Sequence, residues 1–361
     1  MGNPKLIIDM EKIRSNIREV TERCNERGIS VAGVMKGLSG LPEVSVALEQ
    51  EGCDIVASSR LPHLRAAREA GVSVPLMLIR IPMMSEAEEV IETADISLDS
   101  DIDVLKALNE AAMHRGKAHG VILMADIGDL REGFWGNDEL ADAAEQVEKE
   151  MPGLRLLGVG TNIGCYGSVF ATAEKLQELV TAAEAVEERI GRRLEIISGG
   201  ATSSFMRVED GTIPDRINQL RIGEGILMAR DWKELYGFDY PNLQTGTVML
   251  EAEVIEVRDK PSYPVGELTF DAFGNKPEYE DRGIRKKALL AAGNADYGYY
   301  DKIYPLDKGI EVLGASSDHT VLDVTDASRD IKTGDTLLFD LEYATMLMLS
   351  HSPDVEIEVM D

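Results

Sequence analysis

Over roughly the first 230 residues, short apolar or β-branched runs alternate with longer segments whose apolar positions recur at helical spacing. The short runs fall at 31–35, 54–57, 74–79, 96–98, 120–125, 154–160, 194–198 and 220–223. Helical patterns lie between them at 11–27, 42–51, 61–70, 86–93, 101–115, 138–150 and 172–190. Asp99-Ser100 and Thr172 read as start signals for the fifth and seventh of these helices. Regular β–α alternation implies parallel strands. Eight repeats in this length predict an α/β fold, a (β/α)8 TIM-type barrel over residues 1–235, with its active site at the C-terminal ends of the strands.

From about Tyr240 the texture changes. Strand-like runs at 248–257, 288–292, 311–313, 319–324 and 336–340 are separated by Gly, Pro and Asp turns, with no helical period between them. This predicts a smaller all-β domain over 236–361, on which the N-terminal ten residues could pack. Residues 258–284 read as a long polar connection containing Pro261, Pro264 and Pro277. Loops of that length are often functional, with disorder the competing account.

Composition narrows the function. The 361 residues are 44% hydrophobic and 28% charged, a globular profile long enough for a sizeable core. No apolar run approaches the roughly 20 residues that cross a bilayer. The opening MGNPKLIIDMEKI lacks a signal-peptide core, so the expected location is cytoplasmic. Three widely spaced cysteines and five histidines show neither a disulfide framework nor metal-ligand spacing. The net charge of −28 argues against nucleic acid or anionic membrane as partner and would favour a cationic small molecule. Much of that charge reads simply as a solvated acidic surface.

The candidate chemistry gathers at strand ends. Lys36 directly follows the first run, in VAGVMKGLSG. Desolvation at a barrel mouth would lower its pKa and make the amine a nucleophile able to form a Schiff base, although loop lysines are common. Arg131 follows the fifth run in MADIGDLREG, and Thr161 and Asn162 follow the sixth in GVGTNIGCYG. Ser203 and Ser204 follow the seventh in SGGATSS, while Arg221, Gly223 and Glu224 close the eighth in LRIGEG. The last two loops suit a phosphate, offering hydroxyls and backbone N–H groups where barrels often bind one.

With these motifs the chain resembles the alanine racemase family, the barrel-type pyridoxal phosphate enzymes. The likeness runs from LIIDMEKIRSNI through VMKGLSG, DLREG, LRIGEGILMARD and GASSDHTVLDVT to DLEYATMLML. The wording of GVGTNIGCYG, SGGATSSF, INQLRIGE and VGELTFDAFG is similar to an ornithine racemase branch. The resemblance implies that Lys36 binds pyridoxal 5'-phosphate and acts as one of two acid/base groups. Arg221 would face the pyridine nitrogen. An arginine keeps its proton, so the ring stays a weaker electron sink and the α-carbon is quickly reprotonated. Arg131 would bind the substrate carboxylate or tune Lys36. Ser203, Ser204, Gly223, Glu224 (by backbone) and Tyr343 would hold the phosphate, with Thr161 or Asn162 beside the ring.

The chain also departs from the family pattern. Gly40 stands where the family has a tyrosine, Asn162 or its neighbour where it has a histidine, and Asn294, in AAGNADYGYYD, where its second base is a tyrosine. Asparagine takes no proton at neutral pH, so another group must serve the second face. The candidates are His319 and Asp318 in SSDH, Tyr297 and Cys165; His319 is favoured because an unperturbed imidazole, with pKa ~6.5, can both take and give a proton near neutral pH. The resemblance further implies a homodimer in which the β domain of one protomer completes the other's site. For the distal amine of a basic substrate, Glu267, Asp271, Asp296 and Asp318 are candidates, each equally readable as a solvated loop acid. The expected function is racemisation of ornithine or a related basic amino acid. The alternatives are a basic amino acid decarboxylase, disfavoured by Arg221, and a non-catalytic pyridoxal phosphate carrier, disfavoured by the residues after Tyr240.

Overall fold

A computed structural model describes residues 4–270, 273, 274, 276 and 278–360. They form two compact units, one of Lys12–Gln244 and one of Met1–Glu11 with Thr245–Asp361. The chain begins in the second unit with strand β1 (Lys5–Asp9) and enters the first along helix α1 (Met10–Asn25).

The first unit is the expected barrel. Strands β2 (Ser30–Val34), β3 (Ile55–Ser58), β4 (Leu76–Leu78), β5 (Ile96–Asp99), β6 (His119–Met124), β7 (Leu154–Gly160), β8 (Ile196–Ser198) and β9 (Gln219–Ile222) close in parallel. The ring is sealed by β2 against β9, with Ala32 opposite Arg221. Helices α2 (Pro42–Gln50), α3 (Leu61–Glu69), α4 (Ala87–Thr93), α5 (Ile102–Arg115), α6 (Asn137–Glu150) and α7 (Ala173–Ile190) occupy the predicted segments. The strands are buried on both faces, which is why they read as near-continuous apolar runs; all six residues of β6 are buried. Alternate positions, including Val34, Ala57, Met77, Leu98, Ile122 and Met124, fill the interior.

The opposite faces of β5 and β6 carry a buried polar chain. Ser97 Oγ lies 2.7 Å from Asp99 Oδ2 and 2.9 Å from His119 Nε2, and Asp99 Oδ1 has no partner. Asp99 ends β5, so it is not a helix start signal. Helix α5 is capped instead by Asp101, whose side chain accepts from the Asp103 and Val104 N–H groups. Thr172 caps α7 as expected, accepting from the Lys175 N–H.

The barrel unit runs on to Gln244. Phe205 stacks on Trp232 at 4.6 Å, and Tyr240 lies edge-on to both rings. The Asn16 side chain then holds the backbone of Gln244 through both its amide atoms.

The second unit is built on strands β10 (Val248–Pro261), β11 (Ile284–Leu290), β12 (Ile303–Pro305), β13 (Glu311–Ala315), β14 (Thr320–Asp323), β15 (Thr336–Leu341) and β16 (Glu356–Met360). Its order is β12-β15-β10-β11-β14-β13, all antiparallel, with β1 antiparallel to β10 and parallel to β16. The long strand β10 alternates buried Val248, Leu250, Ala252 and Val254 with more exposed neighbours. Three strands (β1, β12, β16) and the helix Tyr343–His351 add to the predicted elements. Asp271 and Pro277 lie outside the described residues. Among the described residues no helix is long and apolar enough to cross a membrane, and no cluster of metal-ligating side chains occurs.

Candidate active site

Lys36 opens a single 3-10 turn, Lys36–Leu38, immediately after β2. The turn leaves through Ser39 and Gly40, both with positive φ. A Cβ on Gly40 would fall 2.4 Å from His63 Cβ, so the His63 side chain occupies the space that a larger residue at 40 would need. Burial pushes the Lys36 amine below the ordinary lysine pKa. The neighbouring Cys165 and Glu132 oppose that shift, while Arg131 and Arg221 add to it. The barrel therefore brings residues from the ends of β2, β6, β7 and β9 into one electrostatic cluster.

Arg221 is buried at 4% exposure. It donates to Ser198 Oγ and to the Thr161 carbonyl, both uncharged, and Ser198 in turn donates to Gln219 Oε1 at 2.9 Å. Among the described residues no carboxylate pairs with it. Burial pushes its pKa down to about 10, which still leaves it charged at neutral pH. Thr161 also ties β7 to β6, its hydroxyl donating to the Ala125 carbonyl at 2.8 Å. The Nδ2 of Asn162 beside it is buried without a hydrogen-bond partner.

The two glycine-bearing loops, after β8 and β9, meet. Thr202–Ser204 form a 3-10 turn running into a short helix, Phe205–Glu209. Gly225 N–H donates to Thr202 Oγ1 at 3.2 Å, and Trp232 Nε1 donates to the Thr202 carbonyl at 2.9 Å, so the loops after β8 and β9 are stitched together. Ser203 Oγ is spent on the Ile163 carbonyl at 2.9 Å. Ser204 Oγ is fully buried and has no partner. Gly223 precedes the helix Glu224–Leu227. The Glu224 carboxylate accepts the Arg230 and Asp231 N–H groups at 2.9 and 3.0 Å. Burial, with Asp231 nearby, pushes it up to about 8. Both N–H groups go to Oε1, and Oε2 is buried without a hydrogen-bond partner. A buried polar group without a partner calls for an explanation, and a bound ligand or water is one. Ser204 Oγ, Asn162 Nδ2 and the depressed Lys36 amine together fit a phosphorylated aromatic aldehyde such as pyridoxal phosphate.

The loop after β6 holds three residues of interest. Arg131 donates from Nε and Nη2 to the two carboxylate oxygens of Glu132. Asp129, which the sequence reading passed over, is buried and accepts the Gly164 and Tyr166 N–H groups at 3.0 Å each and that of Cys165 at 3.4 Å. Burial works to raise its pKa, but these backbone donors outweigh it and hold the carboxyl below the usual range. Asp129 therefore shapes the loop that carries Cys165.

Within the second unit, Asn294 N–H donates to the Ser316 carbonyl and Ala295 N–H to that of Ser317, both at 2.9 Å. This brings Asn294 against the β13–β14 turn, where Asp318 and His319 are exposed. Asn294 Oδ1 is buried without a partner. Tyr297 is corrected as a candidate base. It is fully buried, its hydroxyl bonded to Thr320 Oγ1, and burial pushes its pKa well above the ordinary phenol value. Asp296 is half-committed, accepting the Gly293 N–H at 2.9 Å. The connection expected at 258–284 is shorter, since β10 runs to Pro261 and β11 starts at Ile284; Glu267 is exposed between them, and Tyr343 opens the helix Tyr343–His351.

The model of the alanine racemase N-terminal domain matches residues 8–231. The chain belongs to the alanine racemase family. It is 42% identical over 356 residues to a lysine racemase of Thermotoga maritima, covering 99% of this chain and 98% of that protein. It is 37% identical to an ornithine racemase of Acetoanaerobium sticklandii, over 99% of each. With relatives this similar end to end, the family member is an amino acid racemase. Its fold is shared with the alanine racemase of Clostridium difficile 630, at TM-score 0.74 and 19% identity over 99% of this chain and 96% of that one. It is shared too with the alanine racemase of Bartonella henselae with covalently bound pyridoxal phosphate, at TM-score 0.75 and 15% identity over the whole of both chains.

Proposed function

We propose that the protein is a pyridoxal phosphate-dependent racemase of a basic amino acid, ornithine or lysine. The observation that carries the mechanism is a desolvated Lys36 amine in the same cluster as a buried Arg221 whose partners are all neutral. The substrate class rests on the lysine and ornithine racemases to which the chain is similar along its length. It also accords with the net charge of −28, which favours approach of a cation.

When bound, pyridoxal phosphate acidifies the α-proton of an attached amino acid by dispersing the charge that develops on the carbon. Lys36 Nζ holds the cofactor and moves a proton on one face of the α-carbon. Arg221 would serve the ring nitrogen as a donor that keeps its proton, limiting that dispersal and favouring return of the proton to the α-carbon. Ser204 Oγ, the backbone of Ser203, Gly223 and Glu224, and Tyr343 would hold the phosphate, with Thr161 or Asn162 beside the ring. Arg131 receives the α-carboxylate. His319, with Asp318 beside it, moves the proton on the second face, in a cytoplasmic homodimer whose β unit completes the partner's barrel.

The test is proton NMR of L-ornithine, L-lysine and L-alanine with the protein and pyridoxal phosphate in D2O, followed by chiral analysis. Loss of the α-proton signal with appearance of the D-enantiomer is expected for ornithine or lysine. An unchanged signal for both sinks the substrate assignment. Lys36→Ala should abolish exchange and the visible absorption of the bound cofactor together.

A further inference from the structure

The loop from Asp126 to Gly133 is more tightly built than its exposure suggests. Its ends are stapled: Phe134 N–H donates to the Met124 carbonyl at 2.8 Å and Asp126 N–H to that of Phe134 at 3.1 Å. Asp126 Oδ1 accepts the Gly128 and Leu130 N–H groups at 2.8 and 3.1 Å. Leu130 is held at φ 58°, a conformation unfavourable to an L-residue that persists only where the surroundings impose it. Gly133 has φ 137°, and a Cβ there would lie 2.3 Å from Asp126 N, so only glycine closes the loop.

This rigid loop presents Arg131 and Glu132 as a two-pronged ion pair. The carboxylate is the more buried partner, 16% exposed against 41% for the guanidinium. A bidentate contact fixes the plane of a guanidinium as well as its position. Among the described residues no hydrogen bond takes Arg131 Nη1.

We propose that Glu132 is a positioning residue that clamps Arg131 so that its free edge receives the substrate α-carboxylate. This rests on the racemase reading and on the role given there to Arg131. The clamp predicts recognition of a group common to all amino acids. A contact from Glu132 to the distal ammonium of a basic substrate would instead predict side-chain selectivity.

The experiment compares wild type, Glu132→Gln and Glu132→Asp, each loaded with pyridoxal phosphate. Initial rates of α-proton exchange give KM and kcat for ornithine, lysine and alanine. Propionate, a carboxylate with no amine to react, is titrated separately against the cofactor's absorption band. Glutamine keeps the shape but loses the charge and the second acceptor. It should raise KM about tenfold for every amino acid that turns over and weaken propionate equally, with kcat within about twofold. Aspartate, which keeps the charge on a shorter arm, should recover part of the loss. A KM rise confined to ornithine and lysine overturns the proposal in favour of an ammonium contact. A lowered melting temperature with unchanged KM and propionate affinity overturns it in favour of a purely structural pair. If wild type exchanges no α-proton in any amino acid, the racemase reading fails while the propionate arm still decides the role of Glu132.

Discussion

Replacing Asp99 with asparagine should stabilise the protein increasingly as pH rises from about 4 to 7, with little further gain above. Asp99 is fully buried, and burial pushes its pKa up from 3.8 to about 7, against the opposing contact from Ser97. A folded-state pKa above the unfolded one means that the unfolded chain loses its proton first. The stability contribution is then intact below pH 3.8 and declines as pH rises toward and through 7. A shift of that size corresponds to roughly 4 kcal/mol at high pH, as an upper value. Asparagine copies the protonated acid. When Asp99 carries its proton it donates to Ser97 Oγ, which then donates to His119 Nε2, and an asparagine Nδ2–H keeps the same direction. Burial pushes His119 down to about 4, so it stays neutral through this window and supplies no counter-charge. Urea unfolding at pH 5, 7 and 9, followed by fluorescence of the buried Trp232, reads the barrel unit directly. An advantage of the variant that grows from roughly 1.5 kcal/mol at pH 5 to roughly 4 kcal/mol at pH 7 and levels off by pH 9 supports the reasoning. An equal difference at all three values, or a wild-type slope that persists in the variant, refutes it.

Other outcomes follow from the same physics. His119, a base whose folded pKa is depressed, contributes stability above pH 6.5 that is lost as pH falls toward 4; the Asp99→Asn protein should keep this acid limb in urea titrations, and His119→Gln should lose it. Ser204→Ala removes a buried hydroxyl that nothing within the protein satisfies. It should weaken pyridoxal phosphate binding about tenfold in an absorbance titration and change the unfolding free energy of the cofactor-free protein by less than about 0.5 kcal/mol.

The barrel was legible because its strands are buried on both faces and its helices on one, so the two periods alternate cleanly along the chain. What escaped did so for identifiable reasons. Strands β1 and β16 are five residues each, and their pairing depends on residues far away in sequence. The helix Tyr343–His351 is apolar around most of its circumference, so no stripe announces it. In the site, Lys36, Arg221 and the serine loop stood out because strand ends in a barrel are where chemistry collects. Asp129, Glu132, Ser198 and Gln219 carried no such signal. Asp129, Ser198 and Gln219 act through partners on other strands or loops, and Glu132 through a neighbour whose direction depends on a turn at Leu130. Tyr297 looked reactive as a residue type, but the packing of its own unit seals it away.

The pairing of β1 with β10 and β16 also sets an order of events during synthesis. Ile8 finds its partner at Val248, 240 positions later, and then Val359. At roughly 5–20 residues per second, a ribosome needs about 10–50 s to bridge the first of those gaps. All eight barrel strands emerge within it, joined by contacts of much shorter range. The barrel can thus close while the first strand of the chain is still a free edge, and the second unit is completed only when the last strand has been made. A translation product that stops just after Gln244 would therefore carry a complete barrel and an unpaired, apolar strand β1, the kind of segment that chaperones bind and neighbouring chains capture.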